Sequence, residues 1–403
     1  MVEPSTSTAT SDANQPERVA LALSGGGARA MAFHLGCLRA LHSSGVLGRI
    51  EVISSVSGGS VLAALYCHHK GDFSDFEKTV RQVLARGFSR PAIFKMFATL
   101  EGVKAALHFV PIALIQFCRL LIRVLLSLLP IPARVRLYLS KWLRSPLFRR
   151  KASRTTILRR VLSEDVFNKE TLADLRTDRP KLIIVACELQ TKSAFYFARD
   201  SVGSWRLGRG QPHGIEIAHA VAASAAFPVL LPALDEYLML EKNGVSSSQR
   251  VILTDGGVYD NLGLAPLWPD RDPAISLHAG KFDTIIACRA GYGLDLSPPS
   301  MLWPSRMIAV LGSIHGRAQN LAMNRLFDLK KGGTLKGFII PYLGQSDDKL
   351  AFPPVDLVTA KMAASYPTDF SAMPVEWIDR LSKRGEQLTL ALLQEHLPRL
   401  LKV

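Results

Sequence analysis

A mixed α/β fold with a central, mainly parallel sheet follows from three features of this 403-residue sequence. Apolar residues make up 48% of the chain, enough for a sizeable core in one large domain or two ordinary ones. Val/Ile-rich runs alternate with Leu/Ala-rich stretches of helical period. The order strand, glycine turn, helix occurs twice near the start, which implies parallel strands joined by right-handed crossovers.

Residues 1–17 are rich in Ser, Thr, Pro, Asp and Asn and lack the apolar run of a secretory signal, so they read as a disordered tail. Arg18 to Leu23 (RVALAL) predicts a short buried strand and Ser24 to Gly27 a turn. Ala28 to Ser43 predicts a helix with Met31, Leu35 and Leu38 on one face. Ile50 to Val56 predicts a second strand that ends in Ser57-Gly58-Gly59, before a helix over Ser60 to His69. The rhythm breaks between about residues 75 and 165, an insertion. It resumes with strands at Lys181 to Ala186, Arg250 to Leu253 and Phe282 to Ala287, and with a small-residue helix from His213 to Ala226. Beyond about residue 291, turn-rich stretches lead to a closing amphipathic helix from Val375 to Leu400, a helical C-terminal extension.

The five cysteines are odd in number and scattered, with no zinc-site spacing and no disulfide framework, which points to a reducing, cytoplasmic compartment. The net charge of +15 is concentrated. Val103 to Ser163 contains no Asp or Glu, yet holds thirteen Lys and Arg between Lys104 and Arg160.

Two glycine turns carry the first chemical signals. Ser24-Gly25-Gly26-Gly27-Ala28-Arg29-Ala30 lies between strand and helix and exposes several backbone N–H groups at a helix N-terminus. A dinucleotide fingerprint would need an acidic residue at the end of the second strand, where Ser54, Ser55 and Val56 stand instead. A Walker loop would need a following Gly-Lys-Ser/Thr, which is missing. An oxyanion hole remains, with an ordinary tight turn as the plain alternative. Ser55-Val56-Ser57-Gly58-Gly59 sits where a strand turns sharply into a helix, the setting of a nucleophile elbow. Small neighbours permit the turn, and Gly58 can offer its N–H. Read alone, the same residues suit a serine-capped helix start.

A nucleophilic serine needs a base. In an α/β-hydrolase the order would be Ser, Asp/Glu, His, but that fold builds several strands before its elbow and only one precedes Ile50 here. His278, His315 and His396 lie in no strong loop signature. Thr254-Asp255-Gly256-Gly257 directly follows the apolar run Val251 to Leu253, which makes Asp255 a carboxylate at a strand end. An isolated Asp-Gly is also an everyday turn, and an Asp base depends on desolvation and geometry.

Taken together, these three blocks resemble the patatin-like phospholipase family, whose pattern is a G-G-G-x-R/K-G loop, a G-x-S-x-G elbow and a later D-G-G/A. Ala222 to Pro232 and Val258 to Gly263 are also similar to that family, whereas Ala30 and Ser55 stand where it has glycines. The resemblance spans about Arg18 to Ala290 and implies a three-layer patatin-like domain over residues 18–403. It further implies lipid acyl hydrolysis by a Ser57–Asp255 dyad without histidine, metal or organic cofactor. Gly25, Gly26 and Gly27 would hold the oxyanion, with Gly58 and Arg29 in support. A catalytically silent patatin-fold scaffold and a Ser-His-Asp esterase are the alternatives.

The basic insertion fits a lipid surface. Ala105 to Pro132 is strongly apolar but broken by Pro111, Gln116, Arg119 and Arg123, so a spanning helix is not expected. Leucines alternating with those arginines suit a helix lying in the interface. Arg134, Arg136, Arg149 and Arg150 continue the basic series, and anionic headgroups attract such clusters by about 1 kcal/mol per residue. Peripheral association with anionic membranes is therefore expected. A buried helical cap is the plain alternative, and nucleic acid is not expected because the charge is interleaved with long aliphatic runs.

Overall fold

The computed structural model describes residues 16–144, 152–228, 230–272, 279–291, 298 and 300–401. Its strands are β1 (Val19–Leu23), β2 (Ile50–Val56), β3 (Lys181–Glu188), β4 (Ser193–Ala198), β5 (Val202–Ser204), β6 (Gly208–Gly210), β7 (Leu234–Lys242), β8 (Val245–Asp255), β9 (Thr284–Cys288) and β10 (Gly337–Ile339). Its helices are α1 (Gly27–Ser43), α2 (Gly58–His68), α3 (Phe73–Arg86), α4 (Ser89–Ala98), α5 (Leu100–Leu128), α6 (Ala133–Arg144), α7 (Arg154–Asp165), α8 (Ile217–Ser224), α9 (Gly257–Asp260), α10 (Trp303–Lys331), α11 (Ala360–Ala364) and α12 (Val375–His396).

The strands β10, β9, β1, β2 and β3 lie side by side in that order, all parallel. Both faces of this half are buried, as parallel sheets require. Along β1 the strand period sorts the side chains: Val19, Leu21 and Leu23 face one core, Ala20 and Ala22 the other. The first core is closed by α1, α2, α3, α7, α8 and α12, the second by Leu262, Leu264, Leu267 and the C-terminal part of α10. The fold is thus a mainly parallel sheet between helical layers. Helices α1 and α12 cross at Gly36 and Gly385, where a Cβ on either would fall inside the partner's backbone.

Beyond β3 the direction changes. Antiparallel pairings run β3–β4–β5–β6–β7–β8, and β8 then returns to β3. Because β4 occupies one edge of β3, β2 and β8 share the other. Val56 of β2 pairs with Val185, and Asp255 of β8 pairs with the next residue, Ala186. The two strands therefore meet tip to tip, which brings the ends of β2 and β8 together.

The structure redraws two boundaries. The insertion is narrower than residues 75–165, because Phe76, Val80 and Leu84 of α3 and Ile157, Val161 and Leu162 of α7 are buried in the core. The exposed unit is α4 to α6, in which α5 runs unbroken through Pro111. The C-terminal part is not purely helical either, since β10 extends the sheet beyond β9. The tail expected over residues 1–17 falls mostly outside the described residues.

Candidate active site

The turn from β2 into α2 holds Ser57 at φ 51° and ψ −121°, a left-handed backbone that side chains rarely adopt. Such a conformation costs about 1–3 kcal/mol and persists only when neighbours impose it. Here the main constraint is Ser224, at the end of α8. Its hydroxyl accepts the Ser57 N–H at 2.9 Å and donates to the Val185 carbonyl of β3 at 2.6 Å. The Ser60 hydroxyl lies 3.0 Å from the same oxygen. The Ser224 carbonyl accepts the Gly256 N–H at 3.1 Å, so one buried residue braces both the serine turn and the aspartate turn.

Asp255 ends β8 and is 3% exposed; Ser57 is 6% exposed. The Asp255 carboxylate accepts the Gly257 N–H at 2.7 Å and the Ser57 hydroxyl. Burial is the dominant influence and raises its pKa from 3.8 to about 7, while these two hydrogen bonds pull the other way. A carboxylate in this state is a far better proton acceptor near neutrality than an ordinary Asp. Among the described residues no histidine hydrogen-bonds to Ser57 or Asp255. His315 lies on α10, and His278 falls outside the described residues.

The glycine loop packs directly on the elbow. A Cβ on Gly58 would fall inside the Gly27 carbonyl, so only glycine allows this approach. The N–H groups of Gly26, Gly27 and Gly58, at the starts of α1 and α2, donate to no other group among the described residues. Gly25 differs: its N–H is committed to the Asn261 carbonyl at 3.1 Å. The loop is also anchored from below, where the Ser24 hydroxyl accepts the Ala290 N–H at 2.9 Å, and from above, where the Asp369 carbonyl accepts the Ala28 N–H at 3.0 Å. Arg29 is buried in the first turn of α1 near Tyr342, whose phenol pKa is pushed up by burial, with Arg289 and Arg29 opposing the shift.

Two residues of the site carry no motif of their own. Ser224 is a lone polar residue in the alanine-rich stretch Ala222 to Ala226, and that contrast is its only sequence signal. Asn261 has its side-chain oxygen 2.5 Å from where a Gly25 Cβ would stand and 2.7 Å from where a Gly257 Cβ would stand. It thus wedges the glycine loop against the aspartate turn. Asn261 also borders a cavity of about 610 Å³ whose far wall is α10. The departures from the glycine pattern are accommodated: Ser55 is buried with its hydroxyl toward the Ile183 carbonyl, and Ala30 packs beside Gly26.

The proposed membrane residues fall on different footings. Arg119 and Arg123 lie on α5 among exposed apolar side chains, including Phe117, Leu120 and Leu128. Arg134 and Arg136 lie on α6, where Arg136 donates to the carbonyls of Leu129 and Ile131 and so braces the turn after α5. Arg149 and Arg150 fall outside the described residues. Arg159 and Arg160 on α7 pair with Glu236 and Glu164. No helix of the described residues is long and apolar enough to cross a membrane.

Residues 21–268 match the model of the patatin-like phospholipase family. The chain belongs to that family. Among solved structures it is similar to human GIVD cytosolic phospholipase A2, with 13% identity and a TM-score of 0.52 over 94% of this chain and 61% of that one. A second structure of that human protein, bound to a methyl gamma-linolenyl fluorophosphonate inhibitor, has a TM-score of 0.50 at the same identity, with 94% and 58% covered. VipD from Legionella pneumophila, at 16% identity with 94% and 67% covered, overlaps less well, with a TM-score of 0.39. At such identities the likeness bears on the fold alone. The patatin-like chain spans about three-fifths of the human protein's length. No curated protein sequence is a significant match.

Proposed function

We propose that this patatin-like protein is a lipid acyl hydrolase in which Ser57 is the nucleophile and Asp255 its only base. The carrying observation is the buried Asp255 carboxyl, hydrogen-bonded to the Ser57 hydroxyl with its pKa raised to about 7. Ser57 Oγ attacks the ester carbonyl carbon as its proton passes to Asp255. The oxyanion is met by the N–H groups of Gly26, Gly27 and Gly58. As the intermediate collapses, the alcohol leaves with the proton held by Asp255, and Ser57 keeps the acyl group. Water then attacks the acyl-enzyme, giving one proton to Asp255, which returns it to Ser57 as the fatty acid departs.

The α4 to α6 unit supports work at a lipid surface. Its exposed apolar side chains, Leu128 at 77% exposure among them, share an acid-free stretch with the insertion arginines. The lipid inhibitor found with the human protein suggests the test. A lipid-like fluorophosphonate should label Ser57, and Ser57→Ala should abolish both labelling and fatty-acid release from phospholipid vesicles. Labelling at another residue, or hydrolysis that survives Ser57→Ala in folded protein, would overturn the assignment.

A further inference from the structure

The second long helix, α10, leaves its N-terminal half uncovered. Its C-terminal half is anchored: Leu326 and Leu329 are buried, and Arg325 pairs with Asp270 at 2.7 Å and lies over the Trp268 ring. Upstream, contact with the body narrows to the side of His315, which has a buried ring nitrogen, and no atom lies within 4 Å of where Cβ atoms on Gly312 and Gly316 would stand. Large apolar side chains are exposed there, with Leu302 at 72%, Trp303 at 74% and Ile314 at 62%. At 100° per residue, Trp303, Met307, Val310, Leu311, Ile314 and Leu321 share a stripe roughly 100° wide, and Arg306 and Arg317 run along one edge of it.

We infer that this half of α10 beds in an anionic lipid bilayer, as a second membrane contact besides the α4 to α6 unit. The inference extends the reading of a protein that works at a lipid surface. Charge selects the occupant. No Asp or Glu occurs between residues 296 and 327, so the stripe is flanked by positive charge only. A second copy seated on the same stripe would bring like charges together, whereas anionic headgroups meet them favourably. Trp303 at the outer end of the stripe suits the headgroup level. The placement also bears on the site. Ala318, Gln319 and Ala322 of α10 line the cavity whose opposite wall includes Asn261, the wedge between Gly25 and Gly257. A bilayer held against α10 would therefore lie beside that cavity.

The test uses full-length protein carrying Ser57→Ala, so that vesicles stay intact, and flotation with phosphatidylcholine vesicles containing phosphatidylserine. Adding Trp303→Ser with Ile314→Ser should weaken partition on the order of a hundredfold, about tenfold per lost apolar anchor. Arg306→Gln with Arg317→Gln should weaken it about tenfold or more at low salt, with the gap closing at high salt. Unchanged partition in either pair overturns the inference. So does a dimer in sedimentation velocity that becomes a monomer on Trp303→Ser with Ile314→Ser, which would make a second copy the occupant. In the Ser57 background, hydrolysis of a soluble short-chain ester should be retained by these variants. Its loss would assign the residues to the support of the site and likewise overturn the inference. Binding is read without turnover, so protein that floats through α10 but hydrolyses no ester would refute the hydrolase reading alone.

Discussion

The elevated pKa of Asp255 makes two linked measurements possible on one residue. In the hydrolase mechanism only its ionised form accepts the Ser57 proton, so kcat/KM for a soluble ester should rise with pH through a single step near pH 7. At pH 6 about one-tenth of the molecules would be ionised, an activity about tenfold below the plateau. The same shift acts on stability. The native state holds the proton more tightly than the unfolded chain, so Asp255 contributes stability that is fully present below pH 3.8 and lost as pH rises through about 7. Between 3.8 and about 7 this dependence amounts to about 4 kcal/mol. Asp255→Asn keeps an oxygen for the Gly257 N–H but cannot ionise. Denaturant unfolding of the two proteins from pH 4 to pH 8 should show wild type losing about 4 kcal/mol relative to Asp255→Asn as pH rises. A step in activity near pH 4, together with a stability gap that does not change with pH, would refute the reasoning. Either would mean that the carboxylate is well solvated or paired with a charge.

Other perturbations test the frame around the dyad. Ser224→Ala removes the acceptor of the Ser57 N–H and the donor to Val185, both buried; it should destabilise the fold by about 2–4 kcal/mol and lower kcat more than it raises KM, as read by urea melts and steady-state kinetics. Gly58→Ala drives a methyl group into the Gly27 carbonyl, so it should reduce turnover by about a hundredfold or more with secondary structure retained, because the oxyanion donors separate. Unchanged turnover would remove the glycine loop from the mechanism. Replacing Arg119 and Arg123 with Gln should weaken binding to anionic vesicles in a salt-dependent way, and salt-insensitive binding would count against an electrostatic contact at α5.

Much of this architecture was legible locally. β2 begins and ends at Ile50 and Val56 as the apolar run predicts, and α1 and α2 start within two residues of their expected positions, because glycine and serine punctuate the chain there. The β7–β8 hairpin is longer than the apolar run alone predicts. Asn243-Gly244, both at positive φ, is a strong two-residue turn signal that joins β7 to β8, whereas hydrophobicity marks only Arg250 to Leu253 as a strand. Composition groups α3 and α7 with the exposed α4 to α6 because both carry charged residues, yet α3 buries the stripe Phe76, Val80 and Leu84, and α7 is buried at Thr155 to Leu158 and Val161 to Ser163.

The chemistry on offer is written locally in the chain: a serine in a turn only small residues permit, a glycine run at a helix start, and an aspartate at a strand end. Glycine and serine act through local backbone geometry, which neighbouring residues encode. The meeting of the serine and the aspartate, by contrast, arises only from the folded sheet. That depends on β2 and β8 ending tip to tip along one edge of β3, a pairing between segments about 200 residues apart that no local period records. Only the tertiary structure, too, lets Ser224 and Asn261 hold the two turns in register. The Ser224 hydroxyl takes its role from the buried Ser57 N–H after β2 and the Val185 carbonyl of β3, and Asn261 takes its role from the close approach of the Gly25 and Gly257 turns.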